Sequence, residues 1–186
     1  MSDLPKIDGC DPIAAGKFLQ LHRLRFTDER GRQRSWERVS RVNSSGAVLI
    51  VPLIRPDDEF VLVRQFRPPA ERYMIEFPAG LIDPGEDAAA AAVRELHEET
   101  GFAGEITRVL PAGFSSPGMS SETITTVFVS IDGAQYRNGL PETHQEDSEN
   151  ISVLRVPRRA LLDFLLSRIA AGDGIDAKLF AYAGVL

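Results

Sequence analysis

The segment of residues 87–100 restricts the possible folds of this chain more than any other feature of the sequence. It is rich in alanine, lacks proline and is followed by Gly101, a residue type that often ends helices because it adopts the left-handed backbone conformation without strain. These features predict a helix. The runs around it are apolar or β-branched and predict strands, at residues 47–54, 60–66, 106–110, 123–131 and 151–156. A helix set among strands indicates an α+β fold.

An N-terminal hairpin is predicted ahead of these strands. Residues 18–26 and 32–42 flank a turn in which Gly31 occupies the position that favours a positive φ. Residues 1–16 are rich in Asp, Pro and Gly and are predicted to be irregular. Because an isolated hairpin is only marginally stable in water, this one is expected to pack against another surface.

A second hairpin is predicted where residues 47–54 and 60–66 flank the turn-like sequence at residues 55–58. Towards the C-terminus, leucines at helical spacing predict an amphipathic helix over residues 158–170. A short helical tail is predicted at residues 177–183.

The composition limits the classes of partner. The chain has 186 residues, 43% of them hydrophobic, which suffices for one domain with a buried core. Its net charge of −6 argues against nucleic acid and anionic membrane as partners. Cys10 is the only cysteine, no apolar run is long enough to span a bilayer, and residues 1–12 lack the pattern of a secretory signal. These features predict a cytoplasmic location.

Three glutamates of the predicted helix form a candidate metal site. Glu95, Glu98 and Glu99 stand at positions i, i+3 and i+4 and therefore share one helical face. Such carboxylates repel one another unless a divalent cation lies between them, and Mg²⁺ prefers oxygen ligands. Arg94 could clamp Glu86 and a helix glutamate together. The alternative is an ordinary solvent-exposed acidic face, which is common on helices.

The full spacing of this region resembles the Nudix box, G-x5-E-x7-R-E-U-x-E-E-x-G-U, where U is an apolar residue. All nine specified positions match, namely Gly80, Glu86, Arg94, Glu95, Leu96, Glu98, Glu99, Gly101 and Phe102. The resemblance implies the Nudix fold, a mixed β-sheet sandwiched between helices with an N-terminal antiparallel β-hairpin subdomain. Residues 1–45 would then serve dimerisation and base binding, and residues 46–186 would form the catalytic domain.

The resemblance also implies a set of metal ligands. Glu95 and Glu99 would be the main ligands, Glu98 would assist them or pair with the catalytic Arg94, and the carbonyl of Ala79 would be a further ligand. The expected cofactor is Mg²⁺, two or three ions per site, with Mn²⁺ as a possible substitute.

Residues outside the box resemble the ADP-ribose and ADP-sugar pyrophosphatase branch of this family. Pro117 stands fifteen positions after Phe102, and residues 65–69 and 75–82 look closely like that branch. The implied reaction is Mg²⁺-dependent hydrolysis of ADP-ribose or a similar ADP-sugar to AMP and a sugar phosphate. The alternatives are a Nudix pyrophosphatase for other nucleoside diphosphate sugars or nucleotides, or a non-catalytic ADP-ribose sensor.

The branch resemblance implies a base site near the N-terminal hairpin. Trp36 would stack on adenine, although a lone tryptophan is more often a core residue. Phe18 stands where related enzymes place a second stacking tryptophan, so this chain departs from the pattern there. Glu37 and Arg41 resemble positions that contact the base or the pyrophosphate. Related enzymes are homodimers that complete each base site with partner residues, and a homodimer is expected here.

Further substrate contacts are expected on the catalytic side. Arg67 would bind a phosphate or the distal ribose, since a guanidinium group matches phosphate oxygens. Glu76 would lie beside the metal ligands, and Pro117 with Gly118 would form a substrate-binding loop.

A general base is expected in the polar stretch of residues 133–150. Glu149 resembles the loop glutamate that serves this role in the ADP-ribose enzymes, and Glu146 is the second choice. His144 and His97 are further candidates because histidine is a common general base, but single histidines are usually surface residues.

Overall fold

A computed structural model of the chain describes residues 4–42, 45–145 and 150–184. Its N-terminal part is a three-stranded antiparallel sheet in the order β1, β2, β3, with strands β1 (Lys6–Ala15), β2 (Leu19–Thr27) and β3 (Gln33–Arg41). The predicted N-terminal hairpin is confirmed as β2 and β3. Gly31 has a φ of 71° in the turn between them.

The prediction that residues 1–16 are irregular is wrong for β1. This strand pairs with β2 along its whole length, with register shifts near Gly9 and Pro12. An edge strand tolerates glycine and proline because one side of its backbone has no strand to bond. Its sequence does not alternate between apolar and polar residues as a half-buried strand does. The conformation of β1 therefore depends on its pairing with β2 rather than on local composition.

A larger mixed sheet forms the rest of the domain. Its elements in chain order are β4 (Ala47–Arg55), β5 (Glu59–Arg67), β6 (Arg72–Glu76), β7 (Ala79–Leu81), α1 (Ala88–Thr100), β8 (Glu105–Val109), β9 (Gly113–Phe114), β10 (Thr123–Asp132), β11 (Ser152–Pro157), α2 (Leu161–Ala170) and β12 (Gly174–Ile175). The main strand order is β12-β6-β5-β4-β10-β8, while β11 pairs with β5, β7 with β4 and β9 with β10. The β4/β10 and β12/β6 pairs are parallel and the others antiparallel.

The second predicted hairpin is present but short. Only Leu53 and Ile54 of β4 pair with β5, because β7 pairs with residues 47–49 on the same edge of β4. The other edge of β4 pairs with β10 over residues 47–55. The predicted helix at residues 158–170 is a 3-10 turn, Arg158–Ala160, followed by α2. The tail is a 3-10 helix, Ala177–Tyr182. The sequence did not predict β6, β7, β9 or β12.

The side chains of β4 alternate between the two faces of the sheet, so the core forms two layers. Val48, Ile50 and Ile54 pack on the face covered by α1, and Leu49 and Val51 pack on the face covered by α2 and the tail. The sheet therefore lies between helices, as the family resemblance implies. No helix among the described residues is long and apolar enough to cross a bilayer.

Candidate active site

Helix α1 presents the candidate metal ligands beside β7. The Asp87 side chain caps its first turn by accepting from the Ala90 N–H at 2.8 Å, and Gly101 ends it with a φ of 71°. Leu96 faces the core, so the glutamates emerge at the margin of the buried face. Glu99 is only 3% exposed, and its Oε2 accepts a hydrogen bond from the Ala79 N–H at 3.1 Å.

Arg94 is the centre of the charged network on α1. It donates twice to Glu86, at 3.1 and 2.9 Å, and once to the Leu81 carbonyl at 3.1 Å. It also reaches Glu95 at 2.8 Å and Glu98 at 3.1 Å. The hydrogen bonds from Arg94 lower the pKa of Glu86, and those to Glu86 contribute most to raising the pKa of Arg94. The loop before α1 is thereby fixed against the helix.

Gly80 allows the Glu95 carboxylate to lie directly against the backbone of β7. A Cβ atom at residue 80 would lie 1.9 Å from Glu95 Cδ and 2.0 and 2.4 Å from its two oxygens. Any side chain at this position would therefore displace the carboxylate. The N–H of Ala79 and the missing side chain of Gly80 together place two glutamates of α1 on the β7 backbone.

These groups line a cleft of about 690 Å³. Glu95, Glu98, Ala79 and Gly80 contribute to its wall, and their carboxylate and carbonyl oxygens are the donors that Mg²⁺ prefers. Within residues 4–42, 45–145 and 150–184, no three acidic, histidine or cysteine side chains yet converge on one point. Arg94 accounts for this arrangement, since it holds Glu95 and Glu98. The residues fit a divalent cation chemically, and binding of one would require these two carboxylates to turn from Arg94.

Arg67 and Glu76 lie in the same cleft and bind each other. The guanidinium of Arg67, on β5, donates to one oxygen of Glu76, on β6, at 2.9 and 2.7 Å. Glu76 is mostly buried, whereas Arg67 stays partly exposed to the cleft. Glu76 thus orients an arginine that faces the space beside the acidic helix.

Arg41 reaches the cleft from the N-terminal sheet. Its Nε donates to Glu122, and the two side chains form an ion pair across the cleft wall. Asp83, Asp176 and Lys178 also line the cleft, and the sequence did not identify them or Glu122 as site residues. Asp83 occupies an unspecified position of the Nudix box, whereas only the fold brings Glu122, Asp176 and Lys178 near the box.

Trp36 meets the loop that contains Pro117 and Gly118. The Trp36 Nε1 donates to the Gly118 carbonyl at 2.8 Å, and the Val39 N–H donates to the Met119 carbonyl at 2.9 Å. The tryptophan is 58% exposed, so its ring is open to a ligand rather than buried in the core. Pro117 is exposed beside it.

Phe18 is too far from Trp36 to share one base with it in the same chain. Trp36 of β3 pairs with Leu24 of β2. The Phe18 carbonyl accepts a hydrogen bond from the Val42 N–H, six positions away along each chain segment. Six positions along a strand span about 20 Å at roughly 3.3 Å per residue. Phe18 is 66% exposed. Glu37 is exposed, follows Trp36 on the strand and so points to the opposite face of the sheet.

The described part of the polar loop lies against the end of α1. The His144 N–H donates to the Glu98 carbonyl at 2.9 Å, and the His97 and His144 ring centroids are 4.7 Å apart. The Gln145 side chain bonds both the N–H and the carbonyl of Ile151, each at 2.9 Å. Glu146 and Glu149, the two candidate bases, lie outside the described residues.

Known proteins that resemble this chain in sequence identify its family. The profile of the NUDIX domain matches residues 44–173. The chain is 37% identical over 179 residues to an ADP-sugar pyrophosphatase of Mus musculus, and the alignment covers 91% of this chain and 82% of that protein. It is 37% identical over 171 residues to an ADP-ribose pyrophosphatase of Saccharomyces cerevisiae, covering 88% of this chain and 74% of that protein.

A solved structure agrees with the sequence relatives. The crystal structure of an ADP compounds hydrolase superimposes with a TM-score of 0.67 at 26% identity, covering 92% of this chain and 97% of the other. Both the profile match and the identities extend well beyond the box, into the sheet that supports it. The chain belongs to the Nudix family and is a Nudix hydrolase.

Proposed function

We propose that this Nudix hydrolase cleaves the pyrophosphate bond of ADP-ribose or a similar ADP-sugar in the cytoplasm, with Mg²⁺ as cofactor. The products are AMP and a sugar phosphate, ribose 5-phosphate when the substrate is ADP-ribose. The observation that carries this proposal is the placement of Glu95 and Glu99 on the β7 backbone beside a cleft that also holds Arg67. The names of the relatives in mouse and yeast support ADP-sugars as the substrate class.

The acidic helix supplies the metal site. Glu95, Glu98, Glu99 and the carbonyl of Ala79 would hold two or three Mg²⁺ ions, and Mn²⁺ would substitute. A bound Mg²⁺ lowers the pKa of a coordinated water and stabilises charge on phosphate oxygens. Arg94 would hold Glu86 against α1 while Glu95 and Glu98 turn towards the cations.

Arg67 and Arg41 are proposed to bind the substrate phosphates or the distal ribose. Each is already oriented by a carboxylate, Glu76 or Glu122, and each faces the cleft. A guanidinium held in this way can bind a phosphate oxygen with its remaining N–H groups, at little further cost in side-chain entropy. Glu76 and Glu122 therefore act as positioning residues in this proposal.

Trp36 is proposed to stack on adenine, with Pro117 and Gly118 as the neighbouring loop. Its exposed ring is fixed by the hydrogen bond to Gly118, which leaves its faces available to a planar base. Since Phe18 of the same chain lies about 20 Å away along the strands, a second aromatic ring must come from elsewhere.

We further propose a homodimer in which residues 1–45 form much of the interface. A second copy would then bring its Phe18, and polar groups such as Glu37, towards the base site. Three-stranded sheets with exposed aromatic residues on their surface gain from such contact, because the buried apolar area stabilises the complex.

The general base is proposed to be Glu149, with Glu146 as the second candidate. The proposal is supported by the described residues His144 and Gln145 of the same polar stretch, which contact the backbone carbonyls of Glu98 and Glu99. Proton transfer by a positioned carboxylate typically contributes about 10² to 10⁴ in rate.

The proposed function is tested by incubating the protein with ADP-ribose and Mg²⁺ in ¹⁸O-labelled water. Formation of AMP and ribose 5-phosphate with one labelled phosphate is expected. Parallel assays with UDP- and GDP-sugars, NADH and dinucleoside polyphosphates measure selectivity. Faster turnover of one of these substrates would contradict the preference for ADP-sugars, and tight ADP-ribose binding without cleavage would indicate a sensor.

A matched pair of variants tests the metal ligands. Glu99→Gln is expected to lower kcat by about 10² or more, as is typical for the loss of a charge-stabilising group. The control Glu105→Gln, on the exposed surface of β8, is expected to keep wild-type turnover. Near wild-type turnover of Glu99→Gln would remove Glu99 from the metal site.

A further inference from the structure

A second cavity lies on the face of the large sheet that α2 covers only in part. It has a volume of about 500 Å³ and lies over β4, β10 and β8. Helix α2 packs towards β11 and β12, so this end of the face is left open. The cavity shares no lining residue with the cleft beside the Nudix box. We call it the arginine groove, after Arg55, Arg108 and Arg158 on its rim.

The floor of the arginine groove is aromatic. Phe60, Phe128 and Tyr182 line it, and the Tyr182 ring lies 6.3 Å from each of the two phenylalanine rings. The ring planes of Phe60 and Tyr182 meet at 82°, and those of Phe128 and Tyr182 meet at 54°. Such a surface favours a planar, apolar group of the ligand.

The rim of the groove is cationic although the chain is acidic overall. Arg55, at the end of β4, and Arg158, after β11, both bind the carboxylate of Asp58, at 2.8 and 2.9 Å. Asp58 thus holds two guanidinium groups side by side. The side chain of Arg108, on β8, makes no hydrogen bond or ion pair with any residue in the described ranges. Three positive charges and one negative charge leave a local net charge of +2.

We propose that the arginine groove binds a nucleoside monophosphate, or a comparable planar aromatic phosphate, at a site separate from the catalytic cleft. A local charge of +2 matches a phosphate monoester near neutral pH better than it matches a singly charged carboxylate. Guanidinium groups bind phosphate oxygens in a bidentate manner, and aromatic rings stack on bases without requiring a particular sequence of polar contacts. The volume of the groove lies within the range of about 300 to 1,000 Å³ that is typical of small-molecule sites.

This site goes beyond the hydrolysis of ADP-sugars and does not depend on it. The groove would exist with the same chemistry if the cleft acted on another nucleotide. The two proposals therefore fail independently, because the hydrolysis assay reports on the acidic cleft and a binding assay without Mg²⁺ reports on the groove.

The test is a calorimetric titration of the full chain with AMP in the presence of EDTA. Removing divalent cations leaves the acidic cleft repulsive to phosphate, so binding under these conditions reports on a cationic site. One AMP per chain is expected, with much weaker binding of adenosine and of inorganic phosphate alone. Absence of AMP binding would overturn the proposal.

Variants locate the bound AMP. Arg108→Ala is expected to weaken AMP binding about tenfold, which corresponds to the loss of one charge-assisted contact, without affecting the fold because the side chain is exposed. Arg159→Ala, a neighbouring arginine that does not line the groove, is the control and should bind AMP as the wild type does. Arg108→Gln provides a second variant if the alanine variant is poorly folded.

Three results would contradict the proposal. Unchanged affinity in a folded Arg108 variant would place AMP elsewhere. An equal loss in Arg159→Ala would indicate non-specific attraction to positive charge. A loss in Trp36→Ala as large as in Arg108→Ala would show that AMP occupies the proposed adenine site of the enzyme instead.

Discussion

The close contact between Gly80 and Glu95 leads to a prediction that separates activity from stability. In Gly80→Ala, the new Cβ would start 1.9 Å from Glu95 Cδ, whereas ordinary van der Waals contact begins near 3.4 Å. The carboxyl group must therefore retreat by about 1.5 Å. Its side chain is long and can turn, and the backbone of residue 80 has no conformation that excludes alanine. The strain is expected to fall on the position of one carboxylate rather than on the fold.

The two consequences differ in size. A misplacement of about 1 Å in a catalytic group can lower the rate about 10²-fold, which equals roughly 2.7 kcal/mol of transition-state stabilisation. The free energy of unfolding should change by less than about 1 kcal/mol. Alanine in a strand is more stabilising than glycine by roughly 0.5 to 1 kcal/mol, and a glutamate side chain forced away from a staggered rotamer lowers the stability by a similar amount.

The measurement combines kcat for ADP-ribose, Mn²⁺ affinity by calorimetry and urea unfolding of the same preparation. Gly113→Ala is the matched control, because a Cβ there meets no atom within 4 Å, and it should leave all three quantities unchanged. If Gly80→Ala keeps wild-type kcat and Mn²⁺ affinity, the packing of Glu95 on β7 has no role in catalysis. A large loss of stability would instead show that Glu95 cannot turn away.

Three further predictions test other parts of the molecule. Trp36→Ala should raise KM for ADP-ribose about tenfold with little change in kcat, since stacking contributes roughly 1 to 3 kcal/mol per base; unchanged KM in a folded variant would exclude stacking. EDTA should abolish hydrolysis, and Mg²⁺ or Mn²⁺ should restore it; full activity in EDTA would refute the metal requirement. Asp173 is buried between Arg64 and Arg168, and hydrogen bonds from Arg64 are the main cause of its lowered pKa. The ionised carboxylate therefore stabilises the fold at a pH above 3.8, the ordinary pKa, and this stabilisation is lost as the pH falls through the lower pKa of the folded state. Asp173→Asn should therefore cost about 3 kcal/mol at pH 7 and reduce the acid dependence of the unfolding free energy, and an unchanged urea midpoint would contradict this reasoning.

The sequence predicted the elements whose causes are local. Helix α1 carries its own start and stop in Asp87 and Gly101, and the i, i+3, i+4 spacing of its glutamates fixes their common face whatever the rest of the fold. The long strands of the large sheet were predicted from apolar, β-branched runs. Both kinds of signal act over a few residues, which is why they can be recognised without the fold.

Elements that depend on distant partners were missed. The strand β1 contains glycine and proline and exists because β2 offers a free edge, and β7 is a three-residue strand fixed by β4. The Arg41–Glu122 pair joins residues 81 positions apart, so nothing near either residue predicts the other. Trp36 and Gly118 were each selected from resemblance, but only the fold shows that one hydrogen bond joins them.

The charges around Arg94 explain how the acidic site can fold without a bound cation. Arg94 donates to Glu86, Glu95 and Glu98, and Glu99 accepts from the Ala79 N–H, so each carboxylate has a donor. One guanidinium nevertheless leaves four carboxylates with a net charge of −3. A pyrophosphate dianion alone is repelled by this charge, whereas divalent cations are attracted to it and in turn attract the substrate. If the cleft binds Mg²⁺ and ADP-ribose as proposed, each is expected to strengthen the binding of the other. By thermodynamic reciprocity, the apparent cation affinity should rise with ADP-ribose concentration by the same factor as the substrate affinity rises with Mg²⁺.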